Sequence, residues 1–202
     1  MEQLTLDIIK SPPKSFDNFY YSNRNEETVT QIKLFDSESN NINHVYLWGE
    51  EGSGKSHLVS SLSNNNILVQ EDIQLLDDSG QIRLFNKIND VRADNKKLII
   101  TGNLSPNELN IREDLKSRIH WGLVLRLVPL TDEEKKLVIY DQSIERGLKI
   151  DKKVIDFCLA HLKRDMHTLL NTLEALDNWS LKTKRPITIS LLKELINTYQ
   201  DH

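Results

Sequence analysis

His44-Val45-Tyr46-Leu47-Trp48-Gly49-Glu50-Glu51-Gly52-Ser53-Gly54-Lys55-Ser56-His57-Leu58 decides the fold. Its first five residues form a short apolar run, β-branched and aromatic in character, bounded by a glycine turn, and read as a buried strand. Gly49 to Ser56 fits G-x-x-x-x-G-K-[ST], the loop whose backbone N–H groups cradle phosphates. The chemistry asks for these types in this order. Glycines let consecutive amides converge on an anion without Cβ clashes, and the helix that follows adds the positive end of its dipole. Lys55 supplies a point charge to the β- and γ-phosphates, and the Ser56 hydroxyl is placed to hold Mg²⁺. Gly49, Gly52, Ser53, Gly54, Lys55, Ser56 and His57 are the phosphate-side candidates.

Outward from this loop, strands and helices alternate. Glu26 to Phe35 reads as a helix with Val29 and Ile32 inward, and 36–43 as a polar loop. After the glycine loop, His57 to Ser63 reads as a helix and Ile67-Leu68-Val69 as a strand. Ile82, Phe85, Ile88 and Arg92 stand at helical spacing within 79–94. Lys97–Thr101 and Gly122–Val128 read as two further strands. This alternation predicts an α/β core with a parallel sheet. Pro129 marks a change of texture. From Thr131 onward the pattern is four helices, the first opened by a Thr131/Glu134 capping box and closed by Gly147. Asp151, Asp165 and Ser190 are the expected N-caps of the others, and Ile187–Ile189 is the one brief strand. The expected division is an arm at 1–13, an α/β domain at 14–129 and a helical lid at 130–202.

Composition narrows the function classes. The chain has 202 residues, with 26 basic against 30 acidic side chains and a net charge of −4. Bulk charge therefore argues against nucleic-acid binding by the chain as a whole. The segment from Thr131 carries 12 basic and 12 acidic residues and is neutral. A single cysteine, Cys158, excludes an internal disulfide and a cysteine-based zinc site,. No apolar run approaches the roughly 18 residues of a membrane span, and MEQLTLDIIKSPP is no secretory signal. The expectation is a cytoplasmic protein. Trp48, Trp121 and Trp179 read as core anchors, and the scattered histidines support no metal site.

Other candidates sit at strand ends. Glu71 and Asp72 follow the 67–70 segment where an acid pair would orient a metal's water shell and activate an attacking water; a solvated strand end is the competing reading. Thr101 and Asn103, at the tip of the 97–101 strand, are either a polar sensor beside a γ-phosphate or the residues of a plain turn. Arg118, before the last strand, is either a surface arginine or a guanidinium that reaches a neighbouring subunit's phosphate.

WGEEGSGKSHL, EDIQLL, LIITGNLSP, DLKSRIHWGL and RDMHTLLNTLEALD, read together, resemble the replication-initiator branch of the AAA+ ATPases. The likeness is closest to Hda-type proteins, regulatory inactivators of the initiator DnaA, and covers nearly the whole chain. KSFDNFYYSNRN is similar to the segment that opens the family's nucleotide pocket, and QLTLDI at 3–8 to the clamp-binding motif at the N-terminus of Hda. The resemblance implies ADP or ATP with Mg²⁺, the glycine loop on the phosphates, Glu71 and Asp72 at Walker B, Asn103 at sensor I, and Tyr20 and Tyr21 lining the adenine. It implies Arg118 as an arginine finger acting in trans. Gln3, Leu4, Leu6 and Ile8 would enter the DNA sliding clamp, and DnaA would be the second partner. It also implies negative regulation of replication initiation and the possibility of a homo-oligomer.

Three departures from the family pattern stand out. His167 takes the place of the sensor II arginine, with Arg164 three residues earlier as a stand-in. The acid pair is Glu-Asp. Only the 10 residues 57–66 separate Ser56 from Ile67, too few for the family's extra strand and helix, so the sheet is expected to be trimmed, with a new edge at 67–70. The initiators' helix-turn-helix domain would lie beyond His202, and sequence-specific duplex binding is not expected. Two other functions fit the same motifs: an autonomous ATPase of helicase-loader type or, less well, a small-molecule kinase; and an adaptor in which nucleotide is structural.

Overall fold

The computed structural model describes residues 13–37, 42–94 and 96–200. The chain divides into two compact units, Lys14–Pro129 and a helical one from Leu130; the arm residues 1–12, with Gln3, Leu4, Leu6 and Ile8, lie outside the described residues.

The first unit is a four-stranded sheet of β1 (His44–Trp48), β2 (Ile67–Gln70), β3 (Lys97–Gly102) and β4 (Leu123–Arg126) in the order β2-β3-β1-β4. All pairings are parallel, with Tyr46 opposite Ile100 and Val124, and Leu68 opposite Leu98. Successive side chains of a strand leave on opposite faces, and the core obeys that rule. On one face Val45, Leu47, Ile99 and Leu125 pack with Phe19, with α1 (Glu26–Asp36) through Val29, Ile32 and Phe35, and with α2 (Lys55–Ser60) through Leu58 and Val59. On the other, Tyr46, Leu98 and Ile100 pack with α3 (Asp78–Ala93) and α4 (Glu113–His120) through Leu84, Ile88, Val91, Leu115 and Ile119. Right-handed crossovers require this arrangement. The chain moves one way across the sheet from β1 to β2 and the other way from β2 to β3 and on to β4, so α2 lies on one face and α3 and α4 on the other.

The trimmed sheet is present, with β2 as its edge. Asp36 pins the short link before it, accepting the Ser63 N–H at 2.9 Å, the Ser63 hydroxyl at 2.7 Å and the Asn64 N–H at 3.0 Å. Leu68 and Val69 are exposed at the edge. The edge is blunted: Ile67 donates its N–H to Asn64 O, and the Lys87 ammonium reaches Val69 O at 3.4 Å, a charged guard against further strand pairing.

Several boundaries differ from the sequence reading. The helix after the glycine loop begins at Lys55 and stops at Ser60 instead of running to Ser63; the Ser60 and Ser61 hydroxyls bond back to Ser56 O and His57 O, a local alternative that weakens helix continuation. Gln70 belongs to β2. Strand β4 covers 123–126, and beyond it the Asn25 side-chain amide pairs with Val128, donating to its O at 2.7 Å and accepting its N–H at 2.9 Å. In α3 the buried stripe is Gln81, Leu84, Ile88 and Val91, leaving Ile82 exposed. Trp121 is 61% exposed and is no core anchor.

The second unit holds α5 (Asp132–Glu145), α6 (Lys152–His161), α7 (Met166–Thr183) and α8 (Ile189–Gln200). The Thr131/Glu134 capping box forms in both directions, and Asp151 and Asp165 cap α6 and α7. Residues 187–189 form no strand, and the cap of α8 is Thr188, whose hydroxyl accepts the Leu191 N–H at 3.2 Å; Ser190 falls inside the first turn. The helices bury a leucine-rich core of Leu159, Leu169, Leu173, Leu176, Leu192 and Leu195.

Candidate functional site

The site is built where the sheet's topology reverses. Strands β1 and β3 are neighbours whose crossovers leave on opposite faces, and the crevice beyond their C-terminal ends is the place where open α/β sheets bind ligands. The glycine loop follows β1 there, Glu71-Asp72 follows β2, and Asn103 follows β3.

Gly49 is held on two sides. Its N–H donates to Gly102 O at 3.1 Å, and a Cβ on it would run into the Leu127 carbonyl. Gly52 and Gly54 have φ of 77° and 101°, the left-handed region that glycine adopts without steric cost. A Cβ on Gly52 would meet nothing within 4 Å, so the loop opens onto free space, whereas one on Gly54 would lie 2.7 Å from the Phe19 ring. Gly54 heads α2; the His57 N–H donates to Gly54 O at 3.0 Å, while the Lys55 and Ser56 amides have no carbonyl of their own helix to meet,.

Lys55 is 8% exposed, and its ammonium donates to Gly49 O at 2.7 Å and Glu50 O at 3.0 Å. Burial pushes its pKa below the usual lysine value, while the nearby carboxylates of Asp72 and Glu51 act the other way. Ser53 Oγ is buried and without a hydrogen-bond partner. A buried cation, an orphan hydroxyl and a glycine hollow that opens outward are the donor set a polyphosphate asks for. The residues present fit it, with exposed Ser56 in the first turn of α2.

Across the crevice Asp72 has φ 51° and ψ 56°, a left-handed conformation uncommon outside glycine and tolerated by aspartate. Two hydrogen bonds hold it and a third carries the link onward: its N–H donates to Thr101 Oγ1 at 3.2 Å, Gln74 Nε2 donates to its carboxylate at 3.1 Å, and Gln74 Oε1 accepts the Asn103 N–H at 3.2 Å. Gln74, which carries no motif signal, thus joins the acid to the tip of β3. Tyr46, fully buried, donates its hydroxyl to Leu104 O at 2.6 Å and supports the same turn from below. Thr101 is buried; Glu71 and Asn103 are exposed. Among the described residues no group of three or more His, Cys, Asp or Glu side chains is placed to hold a metal by itself.

The segment before α1 closes the other side. Tyr21 stacks on Phe19, with ring centroids 5.9 Å apart, and Phe19 stands 5.2 Å from the His57 ring. His57 Nε2 lies 2.9 Å from Asn18 Oδ1 and 3.1 Å from Ser15 O, two acceptors that place the proton on that nitrogen. Tyr20 is half-buried. Phe19, missed in the sequence reading, is the aromatic that fits against Gly54; its signal was its place in the aromatic string F-D-N-F-Y-Y.

Arg118 is elsewhere. It ends α4 beside the first residue of β1, where His44 Nε2 meets its carbonyl at 2.9 Å. The glycine loop begins five residues further along that strand, roughly 16 Å away at about 3.3 Å per residue. Its guanidinium lies 4.0 Å from the Trp121 ring centroid and 5.3 Å from that of Phe85, and among the described residues no carboxylate pairs with it. Arg164 and His167 belong to the helical unit. There Arg164 forms an exposed ion pair with Asp132 at 3.3 Å, and His167, in the first turn of α7, is exposed.

Comparison with known proteins gives matches to both units. The family "Hda, lid domain" matches residues 132–196, and "Bacterial DnaA ATPase domain" matches residues 60–126. An uncharacterised protein of Haemophilus influenzae is 30% identical over 97% of this chain and 99% of its own length. Among solved structures, domain III of the Thermotoga maritima replication initiation protein DnaA aligns with a TM-score of 0.72 at 18% identity, covering 93% of this chain and 97% of that one. The AMPPCP-bound DnaA of Aquifex aeolicus gives 0.68 at 18% identity, covering 83% and 66%. The Thermotoga maritima RuvB branch-migration motor gives 0.58 at 17% identity, covering 92% and 72%.

Proposed function

Because the chain belongs to the Hda-type branch of the DnaA-related AAA+ proteins, we propose that it regulates replication initiation by promoting hydrolysis of the ATP held by DnaA. In this reading its own glycine loop binds ADP or ATP, with Gly52, Ser53, Gly54 and Lys55 on the phosphates and with Ser56 and Glu71 beside the nucleotide's Mg²⁺. The nucleotide would supply the charge that Lys55 and the loop amides are arranged to meet, with Tyr20 and Tyr21 lining its adenine.

One observation carries the assignment of Arg118. The guanidinium stands at the end of the sheet opposite its own glycine loop, unpaired with any carboxylate among the described residues and laid against the half-open faces of Trp121 and Phe85. That position, remote from its own glycine loop, supports the reading that it serves the nucleotide of a neighbouring molecule. A guanidinium supplied in trans neutralises charge developing on a transferring phosphoryl group, an effect worth about 10³–10⁵ in rate in P-loop systems. Docking on the sliding clamp through Gln3, Leu4, Leu6 and Ile8 would hold the protein where DnaA is to be switched off.

The test is the rate of hydrolysis of DnaA-bound ATP in the presence of clamp and DNA. Arg118→Ala is expected to abolish the stimulation; equal rates for this variant and the wild type would remove the finger from the reading. Deleting residues 3–8 is expected to abolish retention on immobilised clamp, and unchanged retention would remove the arm.

A further inference from the structure

His44 joins two features that the sequence separates by 74 positions. It is the first residue of β1, 7% exposed, with its ring beneath the turn that joins α4 to β4. Nε2 lies 2.9 Å from the Arg118 carbonyl, so the ring proton sits on Nε2 and donates to it. That carbonyl also accepts the Trp121 N–H at 3.1 Å, and Ile119 O accepts the Gly122 N–H at 3.2 Å. The last carbonyls of a helix lack donors from their own helix; here one donor is a side chain from the central strand. Gly122 shows how closely the turn closes on His44, since a Cβ there would run into Cδ2 and Nε2 of its ring and into its carbonyl oxygen. The Arg118 side chain then lies across Trp121, at the rim of an open pocket of about 640 Å³ that His44, Asn89, Arg92 and Leu123 also line.

We propose that His44 is a positioning residue for Arg118: it fixes the backbone from which the guanidinium is presented, and Trp121 then orients the side chain. The inference rests on the reading of Arg118 as a finger acting in trans. His44 is buried beneath the helix end, so its contribution in this reading is geometric. A displacement of about 1 Å in a catalytic group costs on the order of 10²-fold in rate. His44→Phe keeps a ring and loses the donor, His44→Leu loses both, and His44→Gln keeps an N–H donor.

Two measurements decide it. In ¹H–¹⁵N NMR of the free protein, the Arg118 Nε–H resonance of the wild type is expected to be ring-current shifted by Trp121. It is expected to move to a solvent-exposed position in His44→Phe and His44→Leu, and to stay in place in His44→Gln. In the DnaA-ATP assay, His44→Phe is expected to lower the maximal rate at least tenfold while the half-saturating concentration stays within twofold, and His44→Gln to recover most of the rate. An unmoved Arg118 signal in His44→Phe overturns the positioning role. So does a wild-type maximal rate in that variant when Arg118→Ala is inactive. A shifted signal together with full activity of Arg118→Ala supports the positioning role and overturns the finger reading instead. Should His44→Phe fail to fold, His44→Leu, which also lacks the donor, answers the same questions.

Discussion

Replacing Lys55 by methionine keeps most of the apolar stem and removes the charge, so it isolates what the ammonium gives to a bound nucleotide. In the free protein two effects oppose each other. The variant loses the bonds to Gly49 O and Glu50 O, but it also removes a buried charge whose desolvation already depresses its pKa,. The melting temperature without ligand should therefore change little. With nucleotide the balance differs. A ligand at 100 times its Kd stabilises the folded state by about 2.7 kcal/mol, which for a chain of this size is a shift of roughly 5–11 °C. A charge-assisted hydrogen bond is worth about 1.5–3 kcal/mol, so its loss weakens binding by roughly 10- to 150-fold. At the same nucleotide concentration the variant would keep only about 0.3–1.4 kcal/mol of that stabilisation, a shift between below about 1 °C and roughly 6 °C. The assay is thermal unfolding across an ADP and an ATP series, with calorimetric titration for the Kd. A Lys55→Met protein showing the full wild-type shift would refute a phosphate site at this loop.

Three further outcomes follow from side chains outside that loop. Tyr46→Phe removes the donor to Leu104 O and should cost about 0.5–1.5 kcal/mol in denaturant unfolding, with an unchanged slope; no loss would mean that the hydroxyl contributes nothing to holding the turn before Ser105. Burial holds the His44 pKa below its ordinary value near 6.5, outweighing the opposing effect of the Arg118 and Ile119 backbone, and the Arg92 charge adds a lesser push in the same downward direction. The unfolded chain therefore binds a proton that the folded one does not as pH falls below that value. The associated stability is complete above it and is lost on descent through the folded pKa, so the denaturation midpoint should fall between pH 7 and 5.5 in the wild type and fall less in His44→Gln. Cys158 is 6% exposed and burial pushes its thiol up to about 12; aromatic disulfide reagents at pH 8 should label it only at the rate of unfolding, and rapid labelling of the native protein would contradict the packed core of the helical unit.

The exposed edge at β2 shows how a fold absorbs a deletion. The central pair β1 and β3 keeps its neighbours on both sides, and what is lost lies at the margin, where Asp36, Asn64 and Lys87 satisfy part of the newly unpaired backbone.

The sequence alone determined whatever depends on neighbours a few residues apart. The glycine loop after β1, the strand–helix alternation, the caps at Thr131, Asp151 and Asp165, and the missing edge strand were all legible, because backbone conformation, hydrophobic period and chain length are local quantities. Tertiary structure decided what depends on partners far along the chain. Ser190 and Thr188 offer similar capping chemistry, and only the direction in which the chain enters α8 selects Thr188. The left-handed Asp72 and its bridge through Gln74 arise where β2 and β3 end side by side. The role of Arg118 was open in the sequence, because an arginine at a helix end has the same composition wherever it points. Its place at the far end of β1, tied there by His44, comes from the pairing of strands that no local pattern encodes.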